Sequence, residues 1–307
     1  MLSILHTAAP AAVQDLGRYG LRHCGIGHAG AMDTLALRTG NILLGNPEHA
    51  AAIETALGGL TVRFERDTSF CITGALYLAE LDGEAVHSYW RYPVRRGQVL
   101  TLIRAVQGMY GYLCVQGGID VPDVLGAKST DLKAGFGGLN GRCLQAGDSL
   151  PLGGEGVMLP KTGIAPIPFG HRIHALISSE YTHFTRKAHY RFWQNTWTLQ
   201  SNSNRMGYRL GGGVLERAKQ QEMLSHAVQF GTIQVPPNGQ PIVLMADTQT
   251  TGGYPKIAAV AQADLGRLAQ IRFGGKVSFQ IATAEEAAKL LQRNEAYLNQ
   301  IRMIAAA

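Results

Sequence analysis

The ten residues from Asp247 to Lys256 carry more chemical groups than a plain turn requires. They follow the apolar segment Pro241–Met245 and supply a carboxylate, an amide, hydroxyls, a phenol and an ammonium: Asp247, Gln249, Thr250, Thr251, Tyr254 and Lys256. Such groups converge on a substrate where a loop borders a cavity, so we expect a binding site here. The alternative is a polar loop whose Asp and Thr side chains bond their own backbone.

A second polar cluster lies near the N-terminus, where Gln14, Asp15 and Arg18 are followed by several glycines and by Asp33. Glycine lets the backbone approach a ligand closely, and the planar guanidinium of Arg18 suits a carboxylate or a phosphate. The alternative is an Arg–Asp pair that pins a long loop.

The segment Gly126–Asp131 resembles a phosphate-binding loop. In a true Walker A motif the lysine follows the glycine directly, whereas Ala127 intervenes here and Pro122 removes a backbone amide. We therefore reject a P-loop. The segment still offers three side chains to a different kind of anion site: Lys128, Ser129 and Thr130.

Other sequence patterns argue against a metal site and against a catalytic serine. His171 and His174 lie three residues apart without an H-E-x-x-H spacing, so no metal site is expected. The chain has no G-x-S-x-G motif, and Ser225 and His226 are neighbours in sequence, which is not a catalytic triad.

The composition predicts a folded, globular chain. Of 307 residues, 46% are apolar and 16% charged, which is enough to bury a core, and the length favours two domains. The net charge of +6 comes from scattered Lys and Arg, so we expect no nucleic-acid partner. The four cysteines are far apart in sequence, so we expect them to be free thiols. No signal peptide or membrane-length apolar run is apparent, so we expect a cytoplasmic protein without a membrane partner.

Strands dominate the elements that must position these residues. Asp82-Gly83 and Asn238-Gly239 each separate two short apolar segments, and both pairs predict hairpin turns. Three helices are predicted: one capped by Asp33, one running from Pro47 to Leu57, and a last one opened by a capping box of Thr283 and Glu286. Pro and Gly concentrate between Leu150 and Gly170, so we divide the chain into residues 1–155 and 156–307.

Seven motifs, spread from the first strand to the second half of the chain, resemble those of the family of 5-oxoprolinase C subunits. They are Val13–Arg18, Gly30–Asp33, Gly45–Asn46, Gly117–Pro122, Ser129–Leu132, Ser203–Arg209 and Gln249–Pro255. The resemblance implies a mainly β (α+β) fold with two cyclophilin-like β-barrel domains and a few peripheral helices. It also implies kinship with the carboxyltransferase domain of urea amidolyase.

The resemblance further implies a component of an ATP-dependent enzyme that opens 5-oxo-L-proline to L-glutamate. The B and A subunits of that enzyme would be its partners, and it would be inactive without them. ATP with Mg²⁺ would be a co-substrate, and no tightly bound cofactor is expected. Such chemistry needs positioning and cations around the transferred phosphoryl group.

Site residues follow as hypotheses from this chemistry. The catalytic candidates are Asp247, Lys128 and Tyr254. The candidates for binding substrate or nucleotide are Gln14, Asp15, Arg18, Asp33, Ser129, Thr130, Asp131, Arg142, Arg205, Gln249, Thr250, Thr251 and Lys256. Two other functions stay open: a carboxyltransferase-like or allophanate-hydrolase-associated component, and a non-enzymatic regulator that binds a kinase inhibitor resembling the B subunit.

Overall fold

A computed structural model describes residues 1–218 and 223–306. The chain divides into two compact units, each built from segments that are separated in sequence. The first unit comprises Met1–Arg18, Ala29–Pro168 and Glu295–Ala307, and the second comprises Tyr19–His28 and Phe169–Asn294. The main division, at Pro168, falls within the stretch rich in Pro and Gly where the linker was expected, beyond the predicted boundary at residue 155.

The first unit contains ten strands and one complete α-helix. The strands are β1 (Leu2–Thr7), β2 (Ala11–Gln14), β3 (Ala52–Ala56), β4 (Leu60–Phe64), β5 (Thr68–Leu81), β6 (Glu84–Val86), β7 (Trp90–Val94), β8 (Val99–Val115), β9 (Ser149–Leu150) and β10 (Thr162–Gly163). The helix is α1 (Thr34–Leu43).

These strands form one branched sheet in the order β10-β7-β5-β8-β4-β1-β9, with β3 joining β2 to β8 and β6 pairing with β5. The long antiparallel pair of β5 and β8 is its centre. Apolar side chains on one face bury a core in which Phe70 stacks on both Phe64 and Tyr92. Stacked aromatic rings bury large apolar areas, which is the main source of stability in such a core.

Helix α1 packs on the other face of the sheet. The Asp33 side chain accepts a hydrogen bond from Ala36 N and caps the helix, as the sequence predicted. Gly40 permits a close approach, since a Cβ at this position would lie 2.5 Å from Cys114 Sγ. The helix thus buries Leu37 and Leu43 against β5 and β8.

Among its described residues, the second unit contains the remaining strands and two complete α-helices. The strands are β11 (Arg172–Ile177), β12 (Thr196–Leu199), β13 (Gly207–Gly211), β14 (His226–Ala227), β15 (Thr232–Gln234), β16 (Ile242–Leu244), β17 (Thr251–Gly252), β18 (Lys256–Val260) and β19 (Lys276–Ile281). The helices are α2 (Arg186–Gln194) and α3 (Leu265–Ala269). Single turns of 3-10 helix occur at Arg22–Cys24, Tyr181–His183 and Gln262–Asp264.

Seven of these strands close into a barrel in the order β11-β18-β15-β16-β13-β12-β19. Closure leaves no free sheet edge, and the side chains that point inward fill the interior. Trp197, Tyr208 and Phe279 are buried, and Phe279 stacks on Phe192 of α2 at 4.9 Å between ring centroids. Strands β14 and β17 form a separate two-stranded ribbon. The expected mainly β class is therefore confirmed.

Both predicted hairpins are present. Leu81 pairs with Glu84 across Asp82-Gly83, whose backbones adopt positive φ values of 50° and 86°. Strand β15 pairs with β16 across the longer loop that contains Asn238-Gly239. The turn residues thus identified these two connections correctly.

The helix predicted between Pro47 and Leu57 is wrong, because Ala52–Ala56 form β3. This strand pairs with β2 on one side and β8 on the other, and its β-branched Ile53 and Thr55 are buried. Pairing on both sides outweighs the local signal that Pro47 gives for a helix start.

The last helix, α4 (Ala284–Ala306), begins at the predicted capping box. Thr283 N donates to Glu286 Oε2 at 2.8 Å, and Glu286 N donates to Thr283 Oγ1 at 3.2 Å. Across residues 1–218 and 223–306, no helix combines the length and apolar character needed to span a bilayer.

Candidate functional site

A cavity of about 910 Å³ opens in the second unit. Its polar lining includes Arg22, Glu180, His226, Thr250, Thr251 and Lys256. A cavity of this volume is within the range that holds small-molecule substrates.

Three of the lining residues form a connected ionisable cluster. Lys256 Nζ donates to Glu180 Oε1 at 3.1 Å, and Glu180 Oε1 lies 2.6 Å from His226 Nε2. Lys256 Nζ also contacts His226 Nε2. The Glu180 and Lys256 side chains are 12% and 11% exposed, whereas His226 is 39% exposed. The imidazole is therefore the member of the cluster most accessible to a ligand.

The main chain fixes the orientation of two members of this cluster. Lys256 N donates to Glu180 Oε2 at 2.7 Å, which holds the carboxylate against the start of β18. His226 Nδ1 lies 3.0 Å from the Leu224 carbonyl oxygen and Nε2 lies 2.6 Å from the Glu180 carboxylate, so both ring nitrogens face acceptors.

Hydrogen bonding keeps Glu180 ionised. Burial raises the pKa of its carboxyl group, but bonds from Lys256 N, His226 and the Lys256 ammonium together outweigh burial and hold the pKa below its usual value. The cavity therefore holds a fixed negative charge between two basic side chains.

Each member of the cluster comes from a different element. Glu180 follows β11 and precedes the 3-10 turn at Tyr181, His226 begins β14, and Lys256 begins β18. β14 pairs with β17, which places His226 opposite Gly252, four residues before Lys256. The ribbon thus brings His226 to the first residue of β18.

Arg22 ties the segment Tyr19–His28 to this unit. Its guanidinium donates to the carbonyl oxygen of Gln249 at 3.1 Å and to that of Val228. Burial lowers the pKa of Arg22. The residue braces the two chain segments that carry His226 and Thr250.

The predicted loop from Asp247 to Lys256 is divided between two environments. Thr250, Thr251 and Lys256 line the cavity. Tyr254 is 42% exposed, and Gln249 uses its backbone carbonyl to accept from Arg22.

Asp247 is held by Arg205 in a two-pronged ion pair. Arg205 Nε and Nη2 donate to the two carboxylate oxygens at 2.8 and 2.7 Å, and the side chains are only 13% and 6% exposed. Paired in this way, Asp247 links the 203–209 segment to the end of β16, and its catalytic role stays a prediction.

In the first unit, Asp15 and Arg18 hold loops together. Asp15 accepts from Gly17 N at 2.8 Å, from Lys128 N at 2.5 Å and from the Ser129 hydroxyl. Arg18 donates to the carbonyl oxygens of Ser129 at 2.6 Å and of Val124 at 3.0 Å. These bonds join both side chains to the neighbouring loops, and the binding roles of Asp15 and Arg18 stay predictions.

The remaining buried candidates of the first unit also bond the main chain. Gln14 donates to Thr130 O at 3.1 Å, and Thr130 Oγ1 donates to Val13 O at 2.9 Å. Asp131 accepts from the backbone of Lys133 and Ala134. The bonds of Gln14 and Thr130 fasten the start of the 129–134 segment to β2.

Lys128 and Arg142 are the more exposed cations of the first unit. Lys128 Nζ donates to Asp120 at 2.8 Å, and Arg142 forms a two-pronged pair with Asp148 at 2.8 Å for both bonds. Lys128 belongs to the first unit and Asp247 to the second. Their shared role in catalysis stays a prediction.

The sequence analysis missed Glu180, His226 and Arg22. Glu180 follows two serines in what reads as an ordinary loop, and His226 was considered only with its neighbour Ser225. No local spacing links residues 22, 180, 226 and 256, because barrel closure and a separate ribbon bring them together. In the described parts of the chain, no group of three or more His, Cys, Asp or Glu is arranged to hold a metal ion.

Comparison with known proteins gives a consistent family assignment. The model of the carboxyltransferase domain, subdomain A and B, matches residues 24–281. The C subunit of 5-oxoprolinase from Haemophilus influenzae is 59% identical over 304 residues, covering 99% of this chain and 98% of that protein. The C subunit of 5-oxoprolinase from Escherichia coli is 49% identical over 302 residues, covering 98% and 97%.

A solved structure extends the fold to a larger enzyme. The urea amidolyase of K. lactis superposes with a TM-score of 0.90 at 26% identity, covering 98% of this chain, which spans 20% of that protein. With near full-length matches at 59% and 49% identity, the chain belongs to the carboxyltransferase subdomain A and B family and, within it, to the C subunits of 5-oxoprolinase.

Proposed function

We propose that this chain is the component of a cytoplasmic, ATP-dependent 5-oxoprolinase that helps to bind and open 5-oxo-L-proline, acting with the A and B subunits. The observation that carries the proposal is the cavity containing Glu180, His226 and Lys256, in a chain 59% identical to a C subunit of 5-oxoprolinase. The partners and the substrate are those that the names of the relatives suggest.

The cavity suits a small anionic substrate with a polar ring. 5-Oxo-L-proline carries one carboxylate and one lactam amide. Lys256 supplies a cation, and the hydroxyls of Thr250 and Thr251 can donate to or accept from the lactam. Charge complementarity of this kind favours carboxylates over neutral amides.

The proposed reaction converts 5-oxo-L-proline, ATP and two molecules of water to L-glutamate, ADP and phosphate. The lactam oxygen attacks the γ-phosphorus of Mg²⁺-ATP, and the bond to ADP breaks. Water then adds to the activated carbon, and the C–N bond breaks with its electron pair passing to nitrogen, which takes a proton. The second water hydrolyses the acyl phosphate that remains. Phosphorylation thus activates the lactam carbon for attack by water, and phosphate is the leaving group when the acyl phosphate is hydrolysed.

Reconstitution with the A and B subunits tests this function. The complete complex should release ADP and glutamate in equal amounts, and only when 5-oxo-L-proline is present. Lys256→Met should raise KM strongly by removing the cavity cation. Lys187→Met is the matched control, because Lys187 lies on α2 with its side chain 63% exposed. A complete complex without ATP hydrolysis dependent on 5-oxo-L-proline would exclude the function.

The carboxyltransferase alternative has one supporting observation, the fold shared with urea amidolyase. It predicts transfer of a carboxyl group from carboxybiotin with no requirement for 5-oxo-L-proline. The same reconstituted complex, assayed with carboxybiotin and with 5-oxo-L-proline in parallel, separates the two functions.

A further inference from the structure

Arg22 is a cation of the cavity whose charge has no acidic partner. Its half-buried side chain lines the cavity, and the segment that carries it belongs to the second unit, like the other lining residues. Burial alone lowers the pKa of Arg22, and no carboxylate of the described chain offsets this effect. A charge that is partly removed from water without a counterion is unfavourable, and a bound anion would relieve that cost.

The charge of Lys256, by contrast, is already balanced. Lys256 Nζ donates to Glu180 Oε1 at 3.1 Å, and the two side chains are 11% and 12% exposed. Apart from its histidines, the cavity lining therefore has two cations and one carboxylate, and the excess positive charge lies on Arg22.

Several hydrogen-bond donors of Arg22 remain available. A guanidinium has five N–H donors, and Arg22 uses those of Nη2 for the carbonyl oxygens of Val228 and Gln249, the latter at 3.1 Å. Nε and Nη1 donate to no group of the described chain, and neither is among the buried polar atoms that lack a partner. These two nitrogens are therefore accessible, on a side chain that lines the cavity.

The local fold holds this guanidinium in place. Arg22 begins a single 3-10 turn, which ends where Gly25 N donates to Arg22 O at 3.0 Å and Gly25 adopts a φ of 80°. Val228 follows β14 and Gln249 precedes Thr250, so the two carbonyl oxygens fix the guanidinium beside other lining residues. A cation that is already held by the main chain loses little conformational entropy when it binds an anion.

We infer that Arg22 binds the carboxylate of 5-oxo-L-proline and thereby selects the anionic substrate over neutral analogues. The inference rests on the proposed function and assigns the residue that sets its charge specificity. The carboxylate accepts from the unused donors on Nε or Nη1, and such a charge-assisted bond is about twice as strong as one between neutral groups. Lys256 offers the same substrate a donor, while its charge stays balanced by Glu180.

A purely structural role is the alternative, because Arg22 also braces the segments that contain Val228 and Gln249. The two roles differ in what the positive charge does. A brace needs N–H donors and affects every substrate equally, whereas a carboxylate site depends on the charges of both partners. A comparison of 5-oxo-L-proline with 5-oxo-L-prolinamide, its neutral carboxamide, isolates the effect of charge.

Kinetics of the complex reconstituted with the A and B subunits test the inference. Arg22→Gln keeps N–H donors for the brace and removes the charge. It should raise KM for 5-oxo-L-proline and lower kcat/KM about 10- to 100-fold, the usual loss for a hydrogen bond to a charged group. The kcat/KM of the carboxamide, or its inhibition constant if it is not turned over, should change by less than about threefold.

Two further variants support the comparison. Arg22→Lys restores a cation and should recover part of the preference for the carboxylate. Arg186→Gln is the matched control, because it removes an exposed arginine from α2 of the same unit, and it should leave the kinetics of both compounds unchanged.

Chemical modification of the unsubstituted complex keeps the test valid if Arg22→Gln does not fold. Phenylglyoxal reacts with arginine side chains, and mass spectrometry of peptides locates the modified residues. 5-Oxo-L-proline should slow the modification of Arg22, and the carboxamide at the same concentration should not.

Equal results for the two compounds in either experiment, including no change for both, would assign Arg22 to the brace alone and overturn the inference. A raised KM for ATP with an unchanged preference between the two compounds would place a nucleotide phosphate at Arg22, which also overturns it. In both cases the unsubstituted complex still turns over 5-oxo-L-proline, and the proposed function stands. Absence of activity dependent on 5-oxo-L-proline in that complex would remove the function itself.

Discussion

At the scale of single residues, the two candidate lysines differ in how deeply their ion pairs are buried. Lys256 and Glu180 are 11% and 12% exposed, whereas Lys128 and its partner Asp120 are 32% and 59% exposed. Exposed pairs contribute at most about 1 kcal/mol, since water screens them. Of the cations proposed from the sequence, Lys256 is the one that lines the cavity of the second unit.

Acid should weaken this cluster, because it depends on ionised Glu180. Burial raises the pKa of Glu180, but its hydrogen bonds outweigh burial and lower the pKa below the usual value. The folded chain therefore binds fewer protons at Glu180 than the unfolded chain does. The resulting stabilisation is complete above the ordinary glutamate pKa of about 4.3, and it is lost as the pH falls through the lower folded value.

Glu180→Gln should thus lower Tm at pH 7 and flatten the fall of Tm below about pH 4. Calorimetric scans across this range measure both effects. Glu216→Gln is the control, because the Glu216 side chain is 50% exposed and its nearest cation lies 3.5 Å away. Parallel curves of Tm against pH for Glu180→Gln and the unsubstituted chain would contradict the prediction.

Asp247→Ala should destabilise the second unit by about 3 kcal/mol, because it leaves the largely buried Arg205 without its carboxylate partner. Urea unfolding measures the loss. Asp148→Ala removes the partner of Arg142, which is 37% exposed, and should cost about 1 kcal/mol. The predicted catalytic role of Asp247 is tested by Asp247→Asn. A fall in kcat without a fall in stability would support catalysis, whereas a fall in stability alone would assign Asp247 to structure.

At the scale of elements, the sequence predicted helix ends correctly where the capping residue and its hydrogen-bond partner are close in sequence. Asp33 caps α1 and Thr283 with Glu286 caps α4, since each bond joins residues three apart. The helix prediction was wrong at Ala52–Ala56, because these residues pair with β2 and β8, which are distant in sequence. The sequence also gave no sign of Glu180 and His226, which meet only after the barrel and the ribbon have formed. Thr250, Thr251 and Lys256, which were candidates from the sequence, line one cavity and lie within one short segment.

Gly40→Ala should destabilise the packing of α1 on the sheet. Alanine favours a helix interior over glycine by about 1 kcal/mol. The new Cβ, however, would lie 2.5 Å from Cys114 Sγ and 3.0 Å from Thr73 Oγ1, and overpacking typically costs about 1–3 kcal/mol. The net effect should be a loss of stability.

A double-mutant cycle with Cys114→Ala measures this contact. Removing Sγ takes away the closest atom, so Gly40→Ala should cost less in the Cys114→Ala background. Denaturant unfolding of the four chains gives the coupling free energy. A cost for Gly40→Ala that is the same in both backgrounds would show that the sulfur contact does not limit the approach of the helix.

At the scale of the whole molecule, sequence order and structural units do not coincide. The first unit includes Glu295–Ala307, and the second includes Tyr19–His28. In the second unit, Asn294 Nδ2 donates to Ala263 O at 3.1 Å. In the first, Arg38 donates to both carboxylate oxygens of Glu295, and Tyr297 donates to Ala165 O at 2.7 Å. A cut at any of the four junctions therefore divides the first unit, and a cut after His28 or after Pro168 divides the second as well.

The C-terminal half of α4 should accordingly govern the stability of the first unit. Leu298 and Ile301 are 0% and 1% exposed and belong to the cluster beneath α1. Truncating such residues to Ala costs about 2–5 kcal/mol each. Leu298→Ala and Ile301→Ala should therefore speed hydrogen exchange in α1, β5 and β8 while leaving the barrel strands protected.

Leu291→Ala supplies the comparison on the same helix, because Leu291 is 37% exposed and lies in the part of α4 assigned to the second unit. It should leave exchange in α1 unchanged. Exchange measured by mass spectrometry, peptide by peptide, resolves the two units. If Leu298→Ala instead accelerated exchange equally in the sheet and the barrel, the two units would unfold as one cooperative body. The end of α4 would then not stabilise the first unit selectively.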